Sequence, residues 1–194
     1  MGAERRDASA LILCGGRATR FGGVAKHQLV VDGVAIADRL VRAVEPHVAE
    51  ILASASDAPI AGTRAVRDSQ LGTGPLAGIA GGLAACTTDW LVVVAGDMPY
   101  VTSDVIALLI ARARDGVDAV GVRAHGLPEP LLCALRTGTV RPVLEARLAR
   151  GAIKASGLLE DPALRVAWIE EAALRDVDPE LRCLRNVNAP GDLG

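Results

Sequence analysis

Short apolar runs alternate along this chain with segments of helical spacing. Ala10-Leu11-Ile12-Leu13-Cys14 is wholly apolar and stops at Gly15-Gly16, the pattern of a buried strand ended by glycines. Gln28-Leu29-Val30-Val31 reads as a short extended piece turned by Asp32-Gly33. Between Ala35 and Val44 the apolar positions Ile36, Leu40, Val41 and Val44 recur at helical period, and Pro46 ends the segment. Glu50 to Ala55 and Arg64 to Asp68 are further strands. Leu71 to Gly78 reads as a loop and Ile79 to Ala85 as a small-residue helix. Trp90-Leu91-Val92-Val93-Val94-Ala95 is the strongest strand, apolar on both faces as central parallel strands are. Ser103 is the expected N-cap of a helix from Asp104 to Arg114, closed by Gly116. Val117 to Val122 follows as a strand, His125 to Pro130 as a turn-rich loop and Leu131 to Leu135 as an extended segment. The spacing then predicts a helix from Thr139 to Arg150, a short one from Ile153 to Leu159 and a last core strand from Arg165 to Ile169. Leu184 to Leu193 closes the chain with a helix start led by Pro190.

Strands and helices alternating at this spacing predict an α/β protein: a Rossmann-like, three-layer α/β/α open sheet, mostly parallel. Ligands of such sheets bind beyond the carboxyl ends of the strands. Two loops of unusual chemistry leave strands there, Gly15 to Lys26 and Gly96 to Pro99. Residues 1–8 read as a polar leader, and residues 9–194 as a single domain, a size that one core serves well.

Composition narrows the picture. Half the residues, 51%, are apolar but only 2% are aromatic, so the core is built from Ala, Val, Leu and Ile. A net charge of −2 offers no surface for nucleic acid or for a membrane. The longest apolar runs fall far short of the ~18–20 residues a membrane helix needs. Cys14, Cys86, Cys133 and Cys183 form no Cys-x-x-Cys pair, so buried free thiols in a reducing, cytoplasmic compartment are expected. Three scattered histidines do not make a zinc site. His47 reads as a capping or surface residue.

Chemistry concentrates in the first loop. Glycine lacks a Cβ, so a phosphate can approach the backbone N–H groups of Gly15 and Gly16. Arg17, Arg20 and Lys26 add fixed positive charge there. The stretch is neither a Walker A loop nor Gly-x-Gly-x-x-Gly, and by itself it also fits a strand followed by a solvated basic turn. Asp97 is the second signal. A carboxylate just past an apolar strand must be solvated or bound, and beside a phosphate loop its natural partner is Mg²⁺; the plainer reading is a turn or cap residue.

Leu13-Cys14-Gly15-Gly16-Arg17-Ala18-Thr19-Arg20-Phe21-Gly22-Gly23 with Lys26 resembles the signature of nucleotidyltransferases of the nucleotide-diphospho-sugar-transferase fold. Three further motifs, Gly74-Pro75-Leu76-Ala77-Gly78-Ile79, Gly96-Asp97-Met98-Pro99-Tyr100 and Asn186-Val187-Asn188-Ala189-Pro190-Gly191-Asp192-Leu193, make the chain similar to the molybdenum cofactor guanylyltransferases. That family joins GMP from GTP to molybdopterin and releases pyrophosphate. The resemblance implies Arg20, Lys26 and Asp97 as catalytic residues, with Asp97 holding Mg²⁺. It implies Leu13, Cys14, Gly15, Gly16, Lys26, Ser54, Asp68 and Asp97 as nucleotide contacts, and Gly78, Asn186 and Asn188 on the side of the second substrate. Asp68 falls where a carboxylate accepts from guanine N1–H and 2-NH₂. A monomer is implied, with transient contact to molybdoenzymes or other cofactor-biosynthesis proteins.

The chain departs from the family pattern at three places. Ala25 replaces the aspartate usual before the lysine, His27 follows the lysine where a small or apolar residue is commoner, and Ser54 replaces an asparagine. Alternatives are a cytidylyltransferase for the same cofactor, against which Gly15-Gly16 argues, another small NTP transferase, and a non-catalytic molybdopterin carrier, which Ala25 keeps in view.

Overall fold

The computed structural model describes residues 7–14, 17–18, 24–54, 59–68 and 74–187. Seven strands form one sheet: β1 (Ala8–Leu13), β2 (Glu50–Ser54), β3 (Arg64–Val66), β4 (Trp90–Ala95), β5 (Ala119–Ala124), β6 (Leu127–Arg136) and β7 (Val166–Glu170). Their order is β7-β5-β6-β4-β1-β2-β3. All pairings are parallel except those of β6, which runs antiparallel between β4 and β5. Every residue of β1 and β4 is buried, as the two apolar runs require. β4 sends Trp90, Val92 and Val94 into one core layer and Leu91 and Val93 into the other.

Helices α1 (Ile36–Val44) and α3 (Ser103–Arg112) cover the first face. Helices α2 (Pro75–Ala85), α4 (Thr137–Ala149) and α5 (Ser156–Leu159) cover the second. The short α6 (Glu171–Arg175), which the spacing of the sequence does not announce, follows β7 at once. The three layers and the mostly parallel sheet are those expected, and four local expectations are corrected. α2 begins at Pro75 rather than Ile79, because proline suits the first turn of a helix, where its missing N–H leaves nothing unpaired. Thr102, not Ser103, caps α3, its side chain accepting from Val105 N. Ser103 instead bonds His47 Nε2 at 2.7 Å. The supposed loop from His125 to Pro130 is a tight turn at His125-Gly126 followed by strand, and β1 starts at Ala8.

Asp118 ties the start of β5 to β7. Its carboxylate accepts from Arg165 N and Nε at 2.9 Å each and from Nη2 at 3.1 Å. These bonds hold its pKa down at about 2. The depressed value means that the linkage stabilises the fold above the ordinary aspartate pKa of 3.8 and is lost as pH falls through about 2. Asp118→Ala leaves Arg165 N without its partner and is expected to cost about 1–3 kcal/mol at neutral pH. Thermal melts should show that deficit shrinking between about pH 4 and pH 2.

Candidate functional site

The strand ends line up at one rim of the sheet. Leu13 pairs with Ser54 on one side and with Ala95 on the other, and Ser54 pairs with Val66. The chain beyond these four residues therefore supplies the chemistry. A cavity of about 460 Å³ opens there, lined by Leu13, Cys14, Lys26, His27, Ser54, Asp68, Gly74, Pro75, Gly78, Ala95, Gly96, Asp97 and Leu131. Among the residues expected from the sequence, Leu13, Cys14, Lys26, Ser54, Asp68, Gly78 and Asp97 all meet in it. Gly15, Gly16, Arg20 and Asn188 lie outside the described residues.

Asp97 is held by its backbone. Gly96 N donates to Leu13 O at 2.9 Å, and a Cβ at Gly96 would stand 2.7 Å from that oxygen, so only glycine lets the turn after β4 close on β1. Val187 N donates to Asp97 O at 2.9 Å. The terminal segment thus reaches the turn through Val187, while Asn186 is exposed and does not line the cavity. Lys26 arrives by a hairpin-like return, Val24–Ala25 pairing antiparallel with Arg17–Ala18. Its Nζ meets Asp97 Oδ2 at 2.9 Å, each side chain about one fifth exposed.

Asp68 stands on the opposite wall, two residues past β3. Burial pushes its carboxyl above the usual aspartate range. Its Oδ1 is enclosed and has no hydrogen-bond partner among the described residues. An acceptor left in that state costs free energy unless a donor arrives. Ser54, only 2% exposed, lies near it on the same wall. Gly78 is placed against Ser54 and Leu13: a Cβ there would come 2.7 Å from Leu13 Cδ2 and 3.1 Å from Ser54 Oγ. The missing side chain keeps this wall flat.

Six lining residues were not among the expected site residues: Gly74, Pro75, Ala95 and Gly96 lie in or beside the recognised motifs, whereas His27 and Leu131 match none of them. His27 is 2% exposed, and burial lowers its pKa, so its ring in the cavity wall is neutral at physiological pH. Its departure from the family pattern was the only signal. Leu131 lies in a bulge: Glu129 pairs with Val122 and Cys133 with the adjacent Gly121, which leaves 130–132 without partners on β5. Glu129 Oε1 accepts from Leu131 N at 3.3 Å and steadies the bulge. Burial, with the charge of Asp97 adding to it, raises the Glu129 pKa.

This geometry suits binding and charge neutralisation. Burial pushes the Cys14 thiol up to about 12, which leaves no thiolate for covalent catalysis. Cys133 and Cys183 are likewise buried, Cys86 is half-buried, and all four cysteines are free. Among the described residues no three His, Cys, Asp or Glu side chains gather as a metal cluster, and no helix is long and apolar enough to cross a membrane.

Comparison with known proteins agrees with the layout. The family described as MobA-like NTP transferase domain matches residues 10–165. A probable molybdenum cofactor guanylyltransferase of Methanosarcina acetivorans is 32% identical, over 97% of this chain and 89% of the relative. The crystal structure of molybdopterin-guanine dinucleotide biosynthesis protein A from Archaeoglobus fulgidus superposes with a TM-score of 0.78 at 27% identity, covering 95% of this chain and 94% of that one. The 2-C-methyl-D-erythritol 4-phosphate cytidylyltransferase of Thermus thermophilus shares the fold, with a TM-score of 0.71 at 20% identity over 96% and 95% of the two chains.

The unmet acceptor on Asp68 predicts a stability cost. A carboxyl whose folded pKa is raised weakens the fold as pH climbs through the ordinary carboxylate range and beyond. Asp68→Asn is therefore expected to raise the melting temperature of the ligand-free protein at pH 7. The gain should fade toward about pH 4, where the wild-type carboxyl takes up its proton.

Proposed function

The chain belongs to the MobA-like NTP transferase family, and from that membership we propose that it is a molybdenum cofactor guanylyltransferase, with residues 9–194 acting as one nucleotidyltransferase domain. It joins GMP from GTP to molybdopterin and releases pyrophosphate. The observation that carries this reading is the rim cavity. It gathers a lysine–carboxylate pair and, on its other wall, a half-buried carboxylate with one enclosed, unmet oxygen, from positions 26, 68 and 97 of the chain.

An oxygen of the terminal phosphate of molybdopterin attacks the α-phosphorus of GTP. A new P–O bond forms while the bond from the α-phosphorus to the bridging oxygen breaks, and pyrophosphate leaves. Both reactants are anions, so positioning and charge neutralisation do most of the work. Lys26 and Arg20 face the developing charge on the α-phosphate and the leaving group, and the backbone N–H groups of Gly15 and Gly16 hold the other phosphate oxygens. Asp97 fits Mg²⁺: it is a half-buried carboxylate at the lysine-bearing end of the cavity, and Mg²⁺ needs only one or two carboxylates when substrate phosphates and water complete its shell. When bound, the ion supplies Lewis-acid neutralisation of the phosphates. Asp68 accepts from guanine N1–H and 2-NH₂, a donor pair that adenine and cytosine do not present. Gly78 stands beside Ser54 and Leu13 in the cavity wall, where the absent side chain leaves room for the second substrate to approach the nucleotide. Asn186 and Asn188 are assigned to the molybdopterin side, a reading supported by the bond from the intervening Val187 N to Asp97 O.

Ala25 does not support a carrier in place of an enzyme. Lys26 keeps a carboxylate partner in Asp97 at 2.9 Å, so its placement does not require the absent aspartate. The reading includes action as a cytoplasmic monomer that hands its product to molybdoenzymes or other cofactor-biosynthesis proteins.

Purified protein with Mg²⁺, molybdopterin and each nucleoside triphosphate is expected to release pyrophosphate with GTP alone. Turnover of CTP instead would reassign the base, and GTP binding without pyrophosphate release would support the carrier. Asp97→Ala is expected to lower kcat on the order of 10²-fold or more with an unchanged circular-dichroism spectrum. A near-normal rate would remove Asp97 from the metal.

A further inference from the structure

Helix α2 carries three glycines in its interior, Gly78, Gly81 and Gly82. Glycine disfavours a helix relative to alanine, so each must serve packing. Their neighbours differ in kind. A Cβ at Gly82 would meet only the side chain of Leu11, at 2.5 Å, and one at Gly78 only side chains. A Cβ at Gly81 would meet backbone: Arg67 O at 2.1 Å, Arg67 C at 3.1 Å and Asp68 Cα at 3.5 Å. A side chain can turn aside, whereas displaced backbone carries its neighbouring residues with it.

The residue carried along here is Asp68. It hangs from β3, a three-residue strand at the edge of the sheet with β2 as its one neighbour. α2, by contrast, is pinned to the core by Leu76, Ile79 and Leu83, each at most 1% exposed. Contact between the two is therefore set by the helix, and the strand end yields. We infer that Gly81 is a positioning residue for base selection: the absent side chain lets α2 press against the backbone of Arg67 and Asp68, and this fixes how deep the Asp68 carboxylate sits in the cavity. The inference rests on the reading that Asp68 recognises guanine. Relieving the clash of an added methyl requires a shift of about 1 Å, enough to misplace a hydrogen-bonding acceptor.

The probes are GTP and ITP, whose base lacks the 2-amino group and so offers Asp68 one donor fewer. Dissociation constants are measured by titration calorimetry and kcat by pyrophosphate release. The wild-type protein is expected to prefer GTP on the order of 10-fold. Gly81→Ala should bring the two affinities within about 2-fold while kcat at saturating GTP stays within about 3-fold, the mark of a binding-geometry effect. Gly82→Ala inserts an equal methyl against Leu11 and should lower the melting temperature without changing the GTP:ITP ratio. A folded Gly81→Ala protein with the wild-type ratio overturns the inference, as does a Gly82→Ala protein that loses the ratio equally. If Gly81→Ala yields no folded protein, Asp68→Glu decides: one extra methylene should collapse the ratio, and a retained ratio shows that carboxylate depth does not select the base. A wild-type protein indifferent to GTP and ITP fails the reading of Asp68 itself, which separates that failure from one confined to Gly81.

Discussion

Strand β4 is buried along its whole length, and that constraint forces every charged group of the site to the sheet's rim. A strand with both faces in core disfavours a charged side chain, so the first carboxylate after Trp90 is Asp97, just past the end of the strand. The same rule acts on β1, where chemistry begins only past Leu13. Parallel pairing brings these two ends together, and the bond from Gly96 N to Leu13 O locks them at one height. Lys26 and Asp97, far apart in sequence, then lie 2.9 Å from each other. The ion pair follows from strand register more than from any attraction it adds, since a partly exposed pair contributes little to stability.

The cavity has two electrostatic characters. At the Lys26–Asp97 end, opposite charges are paired with each side chain about one fifth exposed. At the Asp68 end the carboxylate is half-buried, its pKa is raised by burial, and one enclosed oxygen lacks a donor among the described residues. The first environment suits phosphates and a cation, the second a neutral base edge rich in N–H groups. Between them, Ser54, Leu13 and Gly78 line the wall. A nucleoside triphosphate matches that gradient, with its base at one end and its α-phosphate at the other.

Much of this is legible in the sequence because apolar runs and glycines report directly on buried strands and close approach. The strand from Trp90 to Ala95 is plain to the residue. Lys26 and Asp97 stand out one by one, and Leu13 and Asp68 only through the family resemblance, without showing that they meet. The misreadings share a cause. Pro128 and Pro130 look like loop signals, yet both sit in an antiparallel strand, Pro128 paired with Arg123 and Pro130 within the bulge that also holds Leu131. Ser103 and Thr102 are equivalent as caps in sequence; the nearby His47 claims the serine. Gly81 looks like generic small-residue packing, since only the fold sets backbone rather than side chain against it. His27 sits in the wall because burial of its ring is decided by the return of the loop, which no local pattern encodes.

The account stands on a nucleotide lying along the rim with guanine at Asp68 and the α-phosphate between Lys26 and Asp97. The most direct measurement is a crystal structure with a GTP analogue whose α–β bridge is a methylene, grown with Mg²⁺. The account predicts the Asp68 carboxylate within hydrogen-bond distance of guanine N1 and N2, and the α-phosphate beside Lys26 with the ion on Asp97. A base bound away from Asp68, or phosphates directed toward β3, would contradict it.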